Sequence, residues 1–149
     1  MNTSSTLPAH DSSASGSVNS RNAMANAAEL AGRALLASLF LLAGLSKLGA
    51  YSATAAYMAS AGVPGALLPV VIATELLGAL AIILGWKTRV AATLLAGFSL
   101  LTAFTFHNNF ADQTQMIMFL KNVSIAGGFL LLVANGAGPL SLDRRPGLV

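Results

Sequence analysis

The chain has 149 residues, of which 55% are hydrophobic and only 9% are charged. Globular domains of soluble proteins carry roughly 25% charged residues, so this composition is too apolar for a water-facing surface. The net charge is +3, but the basic residues lie at segment ends without the stripe that nucleic-acid binding requires, which excludes that class. Because cysteine is absent and histidine occurs only twice, thiol chemistry and a haem or metal site built by this chain alone are also excluded.

In chain order, residues 1–27 come first and are predicted to form a flexible tail. They are rich in Ser, Asn, Thr and Ala, and they lack the apolar area that would order them. They also lack the basic start and short apolar run of a secretory signal, so we expect none there. The segment 28–136 is predicted to be one membrane domain, and 137–149 a short cytoplasmic C-terminal tail.

Four apolar segments make up the membrane domain, each long enough to cross a hydrocarbon core of ~30 Å at ~1.5 Å per residue. They show no alternating polar pattern, so helices are predicted. A more polar stretch, Tyr51–Ala61, is predicted to be a short helix on the membrane interface. The predicted fold class is therefore an all-α, integral membrane four-helix bundle with a short interfacial helix between the first two spans. The four predicted spans are Ala28–Ala50, Gly65–Gly85, Arg89–Phe106 and Gln115–Asn135.

The positive charges predict an orientation for the bundle. If both termini are cytoplasmic, six basic residues lie on the inner side and only Lys47 lies near the outer side. This is a clear positive-inside bias for loops this short. Arg33, Lys87 and Arg89 are interpreted as topology signals and inner-leaflet anchors, and the remaining inner residues are Arg21, Arg144 and Arg145.

Glu75 is the most unusual residue, since it is the only acidic residue between Glu29 and Asp112 and lies within the second span. A charge there costs at least ~2.5 kcal/mol, so it is expected to face the protein interior and to have a partner. With the predicted orientation, Glu75 is ~15 Å and Lys121 ~9 Å below the outer surface. We predict that Glu75 pairs with Lys121, Lys47 or both, in a buried polar cluster completed by His107 and Asn122.

Simpler interpretations of these residues stay open. Lys47 has a stem long enough to place its ammonium among the outer headgroups. His107 is followed by Asn108 and Asn109, which is also typical of an interfacial loop. A Glu75–Lys121 ion pair that only fixes the packing of the helices would need no ligand.

Several short motifs together resemble the DoxX family of small four-helix bacterial membrane proteins, over roughly residues 29–145. An arginine opens the first span at Arg33, Gly44-Leu-Ser-Lys47 closes it, Glu75-Leu-Leu-Gly78 lies in the second, and Ser141-Leu-Asp143 lies in the tail after the fourth. Gly62-Val-Pro64 and Gly85-Trp-Lys-Thr-Arg89 complete the resemblance. Arg33, Lys47 and Glu75 match motif positions, whereas His107 and Lys121 resemble the family's usual polar positions in the second half.

The resemblance implies a multi-pass protein of the bacterial plasma (inner) membrane, linked to quinone-dependent oxidation or to oxidative stress. The function expected from it is a membrane component of a redox system, at most a subunit of a membrane oxidoreductase, with a quinone near Glu75, Lys121 and His107. Its partners would be the lipid bilayer, a redox protein that supplies the electron carrier, and further copies of the chain. The alternatives are a small-solute or proton-coupled transport protein and a non-catalytic scaffold of a membrane complex.

Overall fold

A computed structural model describes residues 12–144, with side chains described from residue 19 onward. The helices are α1 (Ser12–Gly49), α2 (Tyr51–Ser60), α3 (Leu68–Leu84), α4 (Thr88–Phe106) and α5 (Gln113–Asn135). Single 3-10 turns occupy Gly65–Leu67, before α3, and Leu142–Arg144, near the C-terminus. Four of these helices, α1, α3, α4 and α5, are long and apolar enough to cross a membrane. The predicted fold class is confirmed, including the short helix between the first two spans.

The ends of the spans follow local sequence signals. Pro69 lies in the first turn of α3, where its missing N–H leaves no hydrogen bond unmade. Gly85 ends α3 with φ 67°, and the N–H of Trp86 donates to the Ala81 carbonyl at 2.9 Å, which is a Schellman ending. Asp112 precedes α5 and its carboxylate accepts from the N–H of Gln115 at 3.0 Å, as helix N-caps do.

The first helix begins earlier than the sequence indicated. It starts at Ser12, so residues 12–27, which the sequence assigned to a flexible tail, continue the helix of the first span. This stretch has no proline and several alanines, and a helix that is already formed extends at little cost through such residues. Residues 1–11 and 145–149 lie outside the described part, and the division into tail, domain and tail stays a prediction.

The four spanning helices pack in the order α1, α3, α4, α5, and α1 touches α5 only lightly. Phe40 of α1 and Phe129 of α5 meet edge to face in the core, with ring centroids 5.4 Å apart. Small residues allow close approach elsewhere: a Cβ added at Gly44 would lie 2.7 Å from Leu76, and one added at Gly78 would lie 2.9 Å from Leu95. Close backbone approach through glycine is typical of helix packing in membranes.

The two ends of the bundle differ, and we name them by what covers them. At the α2 end, α2 lies across the helices with Met58 buried, and Tyr57 stacks on Phe106 of α4 at 5.5 Å between centroids. The opposite end is called the tail end, because the segment Gly136–Arg144 folds back onto it. Each end contains one buried charged side chain.

Candidate functional site

A single ion pair joins α1 and α3 near the α2 end. Lys47 Nζ lies 2.8 Å from Glu75 Oε1, and it also lies 3.5 Å from the Ala43 carbonyl. The Glu75 side chain is 5% exposed and that of Lys47 is 24% exposed. Of the two lysines predicted as partners of Glu75, Lys47 forms the ion pair.

The packing of α1 on α3 positions this pair. Gly44 lies one turn before Lys47, and a Cβ added there would be 3.4 Å from the Cβ of Glu75. The absence of a side chain at Gly44 lets the two helices come close enough for Lys47 to reach across. In an apolar surrounding the attraction between the charges is strong, and it offsets part of the cost of burying the carboxylate.

The second oxygen of Glu75 is the exception in this arrangement. Oε2 is buried and accepts no hydrogen bond from any described residue. Buried polar atoms almost always have a partner, so an unpaired carboxylate oxygen calls for an explanation. It needs a donor that the described part of the chain does not supply.

A cavity of about 550 Å³ lies beside the ion pair, and Glu75 and Lys47 are both part of its wall. Its volume falls within the range of small-molecule sites in proteins, roughly 300–1,000 Å³. The wall is otherwise mostly apolar, with residues from α1 to α5; the apolar members are Leu39, Phe40, Ala43, Tyr57, Met58, Val63, Leu67, Val70, Val71, Phe98, Leu101 and Phe106.

Two more residues of the predicted polar cluster line the same cavity. His107 follows α4, and its Nδ1 lies 2.8 Å from Oε1 of Gln115. Asn122 lies on α5 and donates from Nδ2 to the Met118 carbonyl at 3.0 Å. The structure therefore brings four of the five cluster residues, Glu75, Lys47, His107 and Asn122, to one cavity.

Lys121 is the fifth, and here the expectation from the sequence differs from the structure. Its side chain is exposed on the outside of the bundle, it is not part of the cavity wall, and within the described residues no ion pair joins it to Glu75. Asn122, its neighbour on α5, does line the cavity. Its long stem can carry the ammonium along the helix to the membrane surface.

Four threonines complete the polar part of the cavity wall and were missed in the sequence. Thr74 precedes Glu75, while Thr102 and Thr105 precede His107 on α4 at helical spacing. Thr54 of α2 also contributes. The sequence held no clear signal for them, since threonines in membrane helices commonly bond to their own backbone, as Thr74 does to the Val70 carbonyl.

The tail end has a second buried charge, Arg33, and its surroundings correct the interpretation of Arg33 as a headgroup anchor. Arg33 is 1% exposed, and its Nη2 donates to the Leu140 carbonyl of the folded-back segment. Its Nη1 packs directly against Gly85, where any side chain would collide with it. Arg33 is enclosed because the segment Gly136–Arg144 folds against it, a contact between distant parts of the chain that no local pattern predicts.

Asp143 fixes the folded-back segment on the turn between α3 and α4. Its carboxylate accepts from the N–H of Lys87 at 2.6 Å and from that of Thr88 at 2.9 Å, and its own N–H donates to the Gly85 carbonyl at 2.8 Å. Burial by itself would raise the pKa of Asp143, but the hydrogen bonds from Thr88 and Lys87 and the charge of Arg33 outweigh it and hold that pKa below its ordinary value. The bonds also support Lys87 in its left-handed conformation, φ 44°.

The other expected anchors lie at the surface of the same end. Lys87 is exposed, with Nζ 5.8 Å from the centroid of the Trp86 ring. Arg89 is exposed and donates to the Ala134 carbonyl at 3.3 Å. Contact of both with lipid headgroups stays a prediction. Among the described residues, no group of three or more His, Asp or Glu comes together that could hold a metal ion.

Comparison with known proteins identifies a family that this chain matches. The DoxX family model matches residues 28–108, more than half of the chain. "Inner membrane protein YqjF" of Escherichia coli (strain K12) is 55% identical over 83 residues, covering 56% of this chain and 64% of that protein. "Inner membrane protein YphA" of the same strain is 45% identical over 92 residues, covering 56% and 65%.

A more distant similarity extends to yeast. "ER-derived vesicles protein ERV29" of Saccharomyces cerevisiae (strain ATCC 204508 / S288c) is 32% identical over 80 residues, covering 50% of this chain and 26% of that protein. The chain thus spans just under two thirds of the length of the two bacterial relatives, and no solved structure matches it. The family match includes Arg33, Lys47, Glu75 and His107, and by it the chain belongs to the DoxX family.

Proposed function

We propose that this DoxX protein binds a quinone or quinol in the cavity at the α2 end and serves as the membrane component of a quinone-linked redox system. One observation carries the proposal: Glu75 Oε2 is buried without a hydrogen-bond donor among the described residues, in the wall of a mostly apolar cavity of about 550 Å³. Ligand sites in proteins typically combine such apolar walls with a few polar groups that orient the ligand.

The two charged groups suit the two forms of such a ligand. A quinol hydroxyl is a donor, and the free Oε2 of Glu75 is an acceptor. A quinone carbonyl is an acceptor, and Lys47 Nζ has three protons, of which Glu75 uses one. The flat ring would lie among apolar side chains such as Phe40, Met58 and Phe98.

The redox chemistry itself would be shared with a partner. Reduction of a quinone to a quinol takes up two electrons and two protons, and the redox partner protein would supply or accept the electrons. This chain would bind the ring and hold its oxygens at Glu75 and Lys47. The link to redox systems comes from what the family resemblance implies, and the polar cavity is what supports a binding site here.

The location that fits these features is the bacterial inner membrane, since two similar proteins are named inner membrane proteins and four helices can span. The positive-inside bias supports cytoplasmic termini, which would place the α2 end and its cavity in the outer leaflet. Alkaline phosphatase fused after Asn109 should then be active and a fusion after Lys87 inactive. The reverse pattern would contradict this orientation.

Binding can be tested with purified protein in lipid nanodiscs. A benzoquinone analogue with a decyl tail is added to the lipid, unbound analogue is removed, and the retained quinone is extracted and quantified. Wild type should retain about one equivalent, whereas Lys47→Met and Glu75→Gln should lower retention at least tenfold, the effect of losing about 1.4 kcal/mol. Lys121→Met is the matched control, because this lysine lies outside the cavity, and it should bind like wild type.

Other outcomes would favour the alternatives. If no quinone is retained, or if retention is the same in Lys47→Met and in wild type, the proposal fails. Recovery of a partner protein that depends on Glu75 without any bound quinone would point to a scaffold. Solute uptake into proteoliposomes that is lost in Glu75→Gln would point to transport.

A further inference from the structure

A second concavity lies on the outer face of the bundle, between α3 and α4. This groove has a volume of about 850 Å³ and an almost entirely apolar lining. Ala73, Ala81 and Ala91 are among the small residues that line it. It runs from the first turn of α3, at Pro69, to the turn that joins α3 to α4.

The groove and the cavity at the α2 end share a wall. Val70, Thr74, Phe98 and Leu101 line both. Val70 is 62% exposed and Leu101 is 65% exposed on the lipid-facing side. The cavity and the groove therefore adjoin at these four residues, two of which are largely exposed.

The α2 end of the cavity is covered by α2. The buried Met58 and the stacked pair of Tyr57 and Phe106 lie there, and all three side chains are part of the cavity wall. A molecule that enters from the bilayer beside Val70 and Leu101 does not have to displace α2.

The far end of the groove is marked by Trp86 and Lys87. From Thr74 to the end of α3 at Leu84 the groove follows the helix for ~15 Å. An indole with an adjacent ammonium is typical of the membrane–water boundary. The groove has the length and the apolar character of a site for one extended hydrocarbon chain.

We propose that the cavity and the groove together bind one lipid-like molecule, with its polar head at Glu75 and Lys47 and its hydrocarbon tail along the α3–α4 groove toward Trp86. This inference rests on the proposed function and adds that the quinone is a long-tailed one, with a tail of at least ~15 Å. The inference is based on the four wall residues that the cavity and the groove share. A molecule with its head in the cavity could extend its tail past these residues into the groove.

Trp86 provides a direct test, since it is the only tryptophan in the chain and it lines the groove. Two benzoquinone analogues are compared in nanodiscs, both with a long saturated tail, one carrying bromine atoms near the tail's end. Bromine quenches indole fluorescence on close contact, so the difference between the two analogues reports the tail at Trp86. Retained quinone is quantified by extraction in the same samples.

Two variants separate head and tail. Ala73→Phe fills the groove at an exposed position, and Ala34→Phe is its matched control on an exposed face of α1 away from both sites. The expected result is bromine quenching of Trp86 in wild type and Ala34→Phe, with at least a twofold reduction in Ala73→Phe and in Lys47→Met.

Each result decides something different. If quinone is retained but the brominated tail quenches Trp86 no more than brominated bulk lipid does, the tail assignment is overturned while the proposed function stands. Quenching that is unchanged in Lys47→Met would also overturn it, since the tail would then be reporting bulk lipid. If wild type retains no quinone at all, the proposed function fails and this inference fails with it.

Discussion

Replacing Lys47 with methionine is expected to destabilise the protein more than replacing Glu75 with glutamine, although both changes break the same ion pair. The reason is the different burial of the two side chains, 5% exposed for Glu75 and 24% for Lys47. After either substitution, the remaining side chain of the ion pair stays in the bundle without its original charged partner. Glu75 is short and enclosed, whereas Lys47 has a flexible stem at the end of α1.

The two losses can be estimated from that difference. Lys47→Met leaves a buried carboxylate without its counter-charge, which typically costs about 3–5 kcal/mol. Glu75→Gln leaves an amide oxygen that can still accept from Lys47, and a lysine that can turn its ammonium to the headgroups. Its cost should be about 1–2 kcal/mol, the range of a weakened hydrogen bond to a charged group. The double variant should lose less than the sum, with a coupling of about 1–3 kcal/mol.

The measurement is a titration of the micelle-solubilised protein with SDS, followed by helical circular dichroism, for wild type, both single variants and the double variant. Lys121→Met is the control and should change the free energy of unfolding by no more than about 0.5 kcal/mol. The reasoning is refuted if Lys121→Met loses as much as Lys47→Met. It is also refuted if the losses of the two single variants simply add.

Three further predictions use the same titration. Gly44→Ala should lose about 1–3 kcal/mol, because a methyl there would lie 2.7 Å from a leucine side chain of α3, whereas Gly97→Ala, in open space, should be neutral or more stable. Arg33→Met should lose about 1.5–3 kcal/mol, because the Leu140 carbonyl would lose its charged donor, and Arg144→Met, which is exposed, should lose almost nothing; equal losses would contradict the enclosure of Arg33. Because the pKa of Asp143 is lowered in the folded state, its carboxylate contributes to the free energy of unfolding above the ordinary pKa of ~3.9, and this contribution is lost as the pH falls through the lower folded-state pKa. Asp143→Asn should therefore cost about 1 kcal/mol at neutral pH. The variant should also lose less stability in acid than wild type does.

The fold could be predicted from the sequence because a bilayer leaves so few choices. A span needs about 20 apolar residues and must satisfy its backbone internally, so four apolar segments predicted four helices. Their ends were also close to the structure, since Pro69 and Gly85 are strong local signals. The start of α1 was not, because a polar, alanine-containing stretch before a span is compatible with either a tail or a longer helix.

The site could be predicted only in part, and Lys121 shows why. Depth along a helix follows from residue number, but direction around the helix does not, unless a clear periodic face is present. The sequence placed Lys121 at a depth similar to Glu75 and could not show that it points outward. Lys47 is the partner of Glu75 because α1 and α3 approach closely at Gly44. A contact between two helices cannot be predicted from the sequence of one segment.

Arg33 and Glu75 present the same anomaly at opposite ends of the bundle, and the space around them separates their roles. Both are buried with side-chain atoms that lack hydrogen-bond partners among the described residues: Nε and Nη1 of Arg33, and Oε2 of Glu75. The free atom Nη1 of Arg33 packs against Gly85, and neither the cavity nor the groove includes this arginine. The negative charges of Glu29 and Asp143 act on it, and its Nη2 donates to the Leu140 carbonyl, so it holds the folded-back segment in place. Glu75 faces a cavity large enough for a ligand, so its unpaired Oε2 indicates binding at the α2 end, whereas the unpaired nitrogens of Arg33 belong to the packing of the tail end.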